Sequence, residues 1–393
     1  MSPISHQPPS SSAHTPLWTD PQRQALFETW FQGLQTPHQL NPDSLRLASA
    51  DASFRRYLRV DTCAPGQQVS LVIMDAPPER ENCKPFVQVA QLMAQAGLKV
   101  PEVLAWDEAG GFMLLTDLGA NTLMQVIRPQ EPPPLNRYLD AVETLVQWQL
   151  ASREGVLPAY DQPMLMRELE LFPHWYVGEH RKFTLDTAQR KTLDEAFAKI
   201  VTNNLSWPSV YVHRDFMPRN LMVSASEGSQ VRAGPPQADL APLGGSAAHA
   251  VASVGASNLG VLDFQDAVYG PITYDIASLM RDAFLSWDED FCLDVTIRYW
   301  EKARKAGLPV GDDFGEFYRG VEWMGLQRHL KVAGIFARLT LRDGKPQYLA
   351  DTPRFIDYIR ATCSRYMELK PLLRLVERIE GIPVPTAYAF GRV

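Results

Sequence analysis

Apolar residues follow strand-like spacing in the first third of the chain and helical spacing in the rest. A helical period over residues 20–35 precedes several short apolar or alternating runs. Strands are predicted at residues 44–50, 56–60, 70–74, 103–106 and 111–116, and a helix at residues 85–96 ends before Gly97. Strands, one helix and further strands in this order predict a small α+β lobe.

From residue 139 onward the pattern is helical. The clearest segments are residues 139–150 and 188–201, and a long helical stretch covers residues 290–379. We therefore predict a disordered tail at residues 1–17, an N-terminal lobe at residues 18–118 and a larger C-terminal lobe at residues 119–393.

Residues 224–258 depart from this pattern because they are rich in Ala, Gly, Ser and Pro and contain almost no large apolar side chain. Such a composition does not support a packed core. Strand-like runs flank the segment, so it is interpreted as a flexible insertion in a hairpin. The alternative is a lid over a functional site.

Composition excludes several classes of protein. An apolar fraction of 45% argues against wholesale disorder, and a net charge of −7 argues against a broad nucleic-acid-binding face. No stretch approaches the roughly 20 apolar residues that span a membrane, and the first 16 residues lack the apolar segment of a signal peptide. A cytoplasmic protein with no membrane, nucleic-acid or obligate protein partner is predicted.

Four widely spaced cysteines change this picture little, because they form neither a Cys-x-x-Cys pair nor a cluster with histidine. We expect reduced and mostly buried thiols. They are Cys63, Cys83, Cys292 and Cys363.

The strongest chemical signal is the segment His213-Arg-Asp-Phe-Met-Pro-Arg-Asn220, just before an apolar run. Its spacing fits the phosphoryl-transfer loop H-R-D-x-x-x-x-N. The carboxylate of Asp215 would orient or accept the proton of an attacking hydroxyl group. The amide oxygen of Asn220 is a hard ligand suited to Mg²⁺.

A second signal is Gly260-Val-Leu-Asp-Phe-Gln-Asp266, an apolar strand that ends in a carboxylate. Asp263 follows Asp215 and Asn220 in the order in which kinase folds place their second metal ligand. The two motifs support each other and predict phosphoryl transfer.

Together these segments resemble the aminoglycoside phosphotransferase and choline kinase branch of the protein-kinase-like fold. Residues 51–60, 74–79, 260–282 and 327–339 more narrowly resemble the anomeric kinases of N-acetylmuramate and N-acetylglucosamine in bacterial cell-wall recycling. The resemblance covers roughly residues 25–385. It implies a two-lobed α+β fold and ATP- and Mg²⁺-dependent phosphorylation of a sugar to its 1-phosphate.

The resemblance also implies that the N-terminal lobe holds ATP. The turn between the first two strands would contact phosphate through the backbone of Ser53 and Phe54 and the charges of Arg55 or Arg56. The backbone of an interlobe hinge at residues 115–118 would bind adenine. The predicted hinge residues are Thr116, Asp117 and Leu118.

The third strand lacks the lysine that the wider family uses on the phosphates, since it reads Leu71-Val-Ile-Met-Asp75. We expect an arginine at 55, 56 or 59, or Lys84, to replace it. Asp275 is expected to be a helix N-cap that also braces the catalytic loop. His213 and Arg214 are expected to position the loop rather than react.

The sugar site is expected in the C-terminal lobe, where hydroxyl-binding polar groups and an aromatic platform are needed. Each candidate has an alternative interpretation as a packing or surface residue. The candidates are Gln265, Asp266, Tyr269, Trp175, His180, Trp323, His329 and Arg338.

Two other functions stay open. An aminoglycoside or another amino alcohol could be the acceptor, because such cationic substrates need an acidic cleft and the net acidic charge of the chain does not exclude one. A non-catalytic kinase-like binding module is suggested by the missing lysine, although the intact set of Asp215, Asn220 and Asp263 opposes it.

Overall fold

The computed structural model describes Trp18 and residues 20–50, 54–63, 69–128, 131–223 and 259–383. The predicted tail, the predicted insertion at residues 224–258 and Ser53 lie outside the described residues. The chain divides into two compact units, one made of residues 1–87 and 101–117 and the other of residues 88–100 and 118–393.

The first unit is a five-stranded antiparallel sheet with a helix packed on it, and its strand order is β1-β2-β3-β5-β4. Its elements are α1 (Pro21–Gln35), β1 (Leu40–Ala50), β2 (Arg56–Thr62), β3 (Ser70–Asp75), the start of α2 (Lys84–Gln95), β4 (Val103–Asp107) and β5 (Phe112–Thr116).

Helix α1 begins where Asp20 accepts a hydrogen bond from the backbone of Gln22. Its apolar side packs on the sheet, where side chains that alternate along the strands point to one face. The resulting core contains Phe27, Phe31, Leu58, Val60, Ile73, Phe112 and Leu114. The strand pattern of the sequence therefore predicts this core.

The second unit is mainly helical. Its elements after α2 are β6 (Asn121–Thr122), α3 (Leu123–Val126), α4 (Leu135–Leu150), α5 (Gln162–Leu169), a π-helix (Phe172–His180), α6 (Thr187–Leu205), β7 (Ser209–Val212), a 3₁₀ turn (Pro218–Asn220), β8 (Leu221–Val223), β9 (Gly260–Val261), β10 (Val268–Pro271), α7 (Thr273–Met280), α8 (Glu289–Lys305), α9 (Phe314–Leu341), a 3₁₀ turn (Pro346–Asp351), α10 (Thr352–Arg365), a 3₁₀ turn (Met367–Leu369) and α11 (Lys370–Glu380).

Helix α9 lies at the centre of this unit and packs against α6, α7, α10 and the π-helix. Close approach requires Gly334, because a Cβ atom there would lie 2.4 Å from the carbonyl carbon of Leu171. The middle of α9 also buries polar side chains, among them Arg328 and Lys331. Buried charges need partners, so we expect Arg328 and Lys331 to pair with polar groups of neighbouring elements.

Two further predictions can be checked. All four cysteines are free, and all except Cys63 are buried, as expected. Among the described residues, no helix combines the length and apolar character needed to cross a membrane.

Candidate active site

The segment from His213 to Asn220 connects two strands, β7 and β8. Its last three residues form the 3₁₀ turn, where the backbone N–H of Asn220 donates to Met217 at 2.9 Å. The side-chain Nδ2 of Asn220 donates to the backbone carbonyl of Asp215, also at 2.9 Å. This hydrogen bond joins Asp215, the predicted hydroxyl-orienting residue, to Asn220, the predicted metal ligand.

Strand pairing brings Asp263 to the same place. Strand β9 runs antiparallel to β8, with Leu221 opposite Val261, and the N–H of Leu262 donates to the carbonyl of Asn220 at 2.9 Å. Asp263 follows directly, and its Oδ1 accepts a hydrogen bond of 2.7 Å from Gln265. Asn220 and Asp263 thus lie at adjoining ends of the paired strands β8 and β9.

Two residues of this region have a left-handed backbone conformation, which residues other than glycine rarely adopt. Arg214 has a φ of 75° and Asp263 a φ of 62°. Such strain costs on the order of 1–3 kcal/mol and persists only where neighbours hold it. Arg214 is held on both sides, because its N–H donates to Asp275 at 3.0 Å and its carbonyl accepts from Arg328 at 2.6 Å.

Asp275 braces the loop but does not cap its helix. It lies in the first turn of α7, whose N-cap is Ile272, so the predicted N-cap is wrong. Its carboxylate instead accepts the backbone N–H groups of His213 at 2.7 Å and Arg214 at 3.0 Å. Burial raises the pKa of Asp275 to about 7 despite these two hydrogen bonds.

His213 is a structural residue of the loop. Its Nε2 donates to the carbonyl of Leu262 at 3.0 Å, and its Nδ1 accepts the N–H of Asp215 at 3.2 Å. Burial lowers its pKa to about 4, so the ring is neutral at physiological pH. Both ring nitrogens are occupied, which supports the expected positioning role.

A buried ionic cluster lies beneath the loop. Glu168 of α5 accepts hydrogen bonds from Arg214 and Tyr160, both at 2.5 Å, and pairs with Lys331 of α9 at 3.0 Å. Burial opposes the charge of Glu168, but Lys331 and Arg214 outweigh it and lower its pKa. The cluster connects the loop to α5 and α9.

The same cations act on Asp215. Burial alone would raise the pKa of its carboxyl group, but the charges of Lys331, Arg328 and Arg214 lower it. No hydrogen-bond donor of the described residues contacts this carboxylate, whereas its backbone groups are held by His213 and Asn220. Asp215 is therefore an ionised, fixed acceptor with no partner in the described structure.

The side chains at the hairpin end fit a magnesium ion. Asn220 uses its amide nitrogen internally, which leaves its oxygen as the atom suited to a hard cation, and Asp263 adds a carboxylate. Within the described residues, no cluster of three or more His, Cys, Asp or Glu side chains could hold a metal. A site with two protein ligands suits an ion that is also bound by phosphates.

In the first unit, Arg55 is nearly buried and pairs with Glu81 at 3.1 Å. Glu81 also accepts the backbone N–H of Phe54 at 3.2 Å. The ring of Phe54 is 58% exposed and lies 4.6 Å from the guanidinium group of Arg80. Glu81 thus holds Phe54 and Arg55, which belong to the predicted phosphate-covering turn between the first two strands.

The other cations proposed to replace the lysine are also paired. Asp75 accepts from Arg56 and from Arg23 of α1, with shortest distances of 2.6 Å to each. Arg59 pairs with Asp117 at 2.6 Å. Lys84 pairs with Glu108 at 2.8 Å, and both side chains are mostly exposed.

The predicted hinge residues lie at the boundary between the units. Thr116 ends β5, and its hydroxyl accepts the N–H of Glu102 at 2.9 Å. Asp117, the last residue of the first unit, also accepts from Ser70 at 2.6 Å. Leu118 begins the next segment of the second unit, where its side chain packs against Gly260.

The structure places the predicted sugar-binding residues in four parts of the second unit. Gln265 lies beside Asp263, and the exposed Asp266 offers its carbonyl to Arg214 at 3.4 Å. Tyr269 is a half-buried residue of β10. Trp175 and His180 belong to the π-helix, which packs on α9.

The last three candidates lie on α9. His329 is buried, donates to the carbonyl of Arg281 at 3.1 Å and stacks on Tyr358 with ring centres 4.5 Å apart. Trp323 is buried against Tyr366. Arg338 is half-buried. The structure thus gives His329 and Trp323 a packing role in the helical core, and their contact with sugar stays a prediction.

Sequence reasoning missed Glu168, Arg328 and Lys331. Arg328 and Lys331 interrupt an apolar stretch of α9, and charged side chains within such a stretch indicate buried charge. Glu168 carries no such signal, because its role depends on tertiary contacts with Arg214 and Lys331.

Comparison with known proteins identifies the family of the chain. A sequence profile described as the phosphotransferase enzyme family matches residues 44–250 and 252–312. The chain is 44% identical over 362 residues to the N-acetylmuramate/N-acetylglucosamine kinase of Neisseria meningitidis serogroup B, which covers 92% of this chain and 97% of that protein. It is 42% identical over 365 residues to the kinase of the same name from Pseudomonas putida, covering 93% and 95%.

Solved structures show the same fold at low identity. An ethanolamine kinase from Plasmodium vivax has a TM-score of 0.55 and 10% identity, covering 89% of this chain and 91% of that one. A microcompartment-associated aminopropanol kinase has a TM-score of 0.54 and 13% identity, covering 88% and 99%. These likenesses confirm the predicted kinase-like α+β fold class.

Proposed function

The chain belongs to the phosphotransferase enzyme family, and we propose that it is an ATP-dependent kinase of N-acetylmuramate and N-acetylglucosamine. The observation that carries the proposal is identity of 42–44% over more than nine tenths of this chain to kinases of that name. The product would be the sugar 1-phosphate, and the role would be peptidoglycan recycling in the cytoplasm.

The proposed reaction begins at Asp215. Its carboxylate accepts the proton of the anomeric hydroxyl group as the sugar oxygen attacks the γ-phosphorus of ATP. The new O–P bond forms while the bond to the bridging oxygen breaks, and the nucleoside diphosphate leaves with those electrons. Because Lys331, Arg328 and Arg214 favour the ionised form of Asp215, the acceptor is ready at neutral pH.

Asn220 and Asp263 would hold Mg²⁺, which neutralises phosphate charge when bound. The residues of this chain contribute position. The 3₁₀ turn and the β8–β9 pairing fix both ligands relative to Asp215, and Gln265 orients the carboxylate of Asp263. Positioning of this kind accounts for much of enzymatic phosphoryl transfer.

Nucleotide binding is proposed for the first unit. Backbone groups near Phe54 and the guanidinium groups of Arg55 and Arg56 are the candidates for phosphate, with Ser53 beside them in the sequence. Among these side chains, Arg55 is held by Glu81, an arrangement that parallels the lysine–glutamate pair of protein kinases. The backbone of residues 116–118 is proposed to bind adenine.

The test is incubation of the purified protein with ATP, MgCl₂ and a panel of sugars and aminoglycosides, followed by phosphorus NMR. We expect a phosphate signal coupled to the anomeric proton with both amino sugars. Phosphate on a ring hydroxyl of an antibiotic would instead establish an aminoglycoside phosphotransferase. Absence of both turnover and Mg²⁺-dependent ATP binding would indicate a non-catalytic module.

A further inference from the structure

The cations around the catalytic loop differ in how they are used. Arg214 and Lys331 are largely buried and pair with Glu168, and the buried Arg328 donates to the backbone carbonyl of Arg214. These three groups are committed to holding the loop. A substrate anion would have to displace internal contacts to reach them.

Arg219 is a fourth cation with a different environment. It lies inside the loop, directly before Asn220, and its side chain is exposed. In the part of the chain that the structure describes, no carboxylate lies within ion-pair distance of it, and its charge acts only at longer range on the buried carboxyl group of Asp282. Its guanidinium group instead lies 4.5 Å from the ring centre of Phe284.

The platform under Arg219 is well supported. The N–H of Phe284 donates to Asp282 at 3.1 Å, and the preceding carbonyl of Ala283 accepts from Arg354 at 3.0 Å. The ring of Phe284 also packs against Phe336, with centres 5.6 Å apart. A guanidinium group on an aromatic face keeps its in-plane N–H donors available, so Arg219 is preorganised for a planar anion.

We propose that Arg219 is a specificity-determining residue that binds the carboxylate of an acidic acceptor sugar. The inference rests on the proposed function. N-acetylmuramate carries a lactyl carboxylate, whereas N-acetylglucosamine has a hydroxyl group at the same carbon. The guanidinium fork matches a carboxylate in geometry and charge.

The exposure of Arg219 is compatible with both acceptors. A buried guanidinium group left without an anion would penalise the neutral sugar strongly. An exposed one remains hydrated when the neutral sugar binds, so Arg219 favours the acidic sugar without excluding the other.

The test compares the two sugars in Arg219→Gln. We expect kcat/KM for N-acetylmuramate to fall about five- to tenfold while the value for N-acetylglucosamine changes less than about twofold. Arg304→Gln is the matched control, because Arg304 of α8 also lies over an aromatic ring, that of Trp300 at 5.2 Å, but outside the loop. It should change neither value.

Salt and a conservative variant separate recognition from a structural effect. Raising the ionic strength should lower the preference of the wild-type protein for N-acetylmuramate over N-acetylglucosamine, because exposed charges are screened. The same ratio should be insensitive to salt in Arg219→Gln. Arg219→Lys should recover part of the preference, since it restores the charge but not the fork.

Equal losses for both sugars, or no change for either, would overturn the role of Arg219. Calorimetric dissociation constants for the two sugars give the same ratio without turnover. A wild-type protein that binds both sugars but phosphorylates neither would contradict the proposed function, while the ratio would still test Arg219. Failure to bind N-acetylmuramate would contradict both.

Discussion

The catalytic loop of the second unit and the arginine-rich sheet of the first unit use charge in opposite ways. Around the loop, buried cations surround Asp215, whose carboxylate contacts no hydrogen-bond donor of the described residues. In the sheet, each arginine proposed for phosphate already pairs with a carboxylate, as Arg56 does with Asp75 and Arg59 with Asp117. The proposed proton acceptor therefore has no hydrogen-bond donor in the described structure, whereas the arginines proposed for phosphate would have to share or leave their carboxylate partners.

The largest effect is expected at Asp215. Asp215→Ala should lower kcat by at least about a thousandfold, because no other described carboxylate is held in the loop to take the hydroxyl proton. Nucleotide affinity, measured by calorimetry, should stay within about threefold of the wild-type value. Asp266→Asn is the comparison, since this exposed carboxylate is a candidate for sugar contact and not for proton transfer, and the variant should change kcat little.

A retained rate in Asp215→Ala would remove the basis for placing the chemistry in the loop. A large loss in Asp266→Asn would show that the second motif contributes a reacting group that its exposure does not suggest.

The comparison also shows what the sequence could predict. The strands of the first unit and α1 follow from apolar spacing, and motif order predicts Asp215, Asn220 and Asp263 as one site. The single helical stretch predicted at residues 290–379 is divided in the structure into α8, α9, α10 and α11. The π-helix (Phe172–His180) could not be predicted, because its hydrogen bonding depends on packing against α9. Glu168 was likewise invisible, since only the folded chain brings α5 beneath the loop.

Stability should depend strongly on Asp75 in the first unit. This carboxylate is 2% exposed and pairs with both Arg23 and Arg56. Asp75→Ala would leave two guanidinium groups without that partner and should lower the free energy of unfolding by about 3 kcal/mol, measured by urea denaturation. The pair of exposed Arg46 and half-buried Asp61 is the control, where Arg46→Ala should cost less than about 1 kcal/mol.

A similar small loss in both variants would mean that the sheet arginines are not structurally fixed. The arginines of the sheet would then resemble Arg219, which has no ion pair with a described carboxylate. The two regions would no longer differ in how firmly their arginines are held.

Asp275 gives the loop a pH-dependent contribution to stability. Folded Asp275 keeps its proton up to about pH 7, whereas an unfolded Asp releases it near pH 4. The folded state therefore binds more protons in this window, and this contribution to stability falls as pH rises from about 4 to 7. Asp275→Asn removes it, so the difference in unfolding free energy between wild type and variant should shrink or change sign with rising pH.

The difference between the two proteins is the quantity to measure, because His213 acts in the opposite direction. Its folded pKa of about 4 lies below the ordinary value near 6.5, so its contribution to stability rises with pH in that window. A pH-independent difference between wild type and Asp275→Asn would show that the folded carboxyl group is already ionised near pH 4.

The smallest expected effect is a change in the KM for ATP, which would identify the cation of the first unit that binds the phosphates. Arg55 is buried and fixed by Glu81, whereas Lys84 is exposed and its partner Glu108 is exposed as well. A fixed guanidinium group loses less entropy on binding phosphate, so Arg55→Gln should raise the KM for ATP about tenfold with a smaller change in kcat. Lys84→Gln is the matched control and should leave the KM within about twofold. The reverse result would assign the phosphates to the exposed Lys84, and nucleotide binding, like binding of the acceptor sugar, would then depend on an exposed cation.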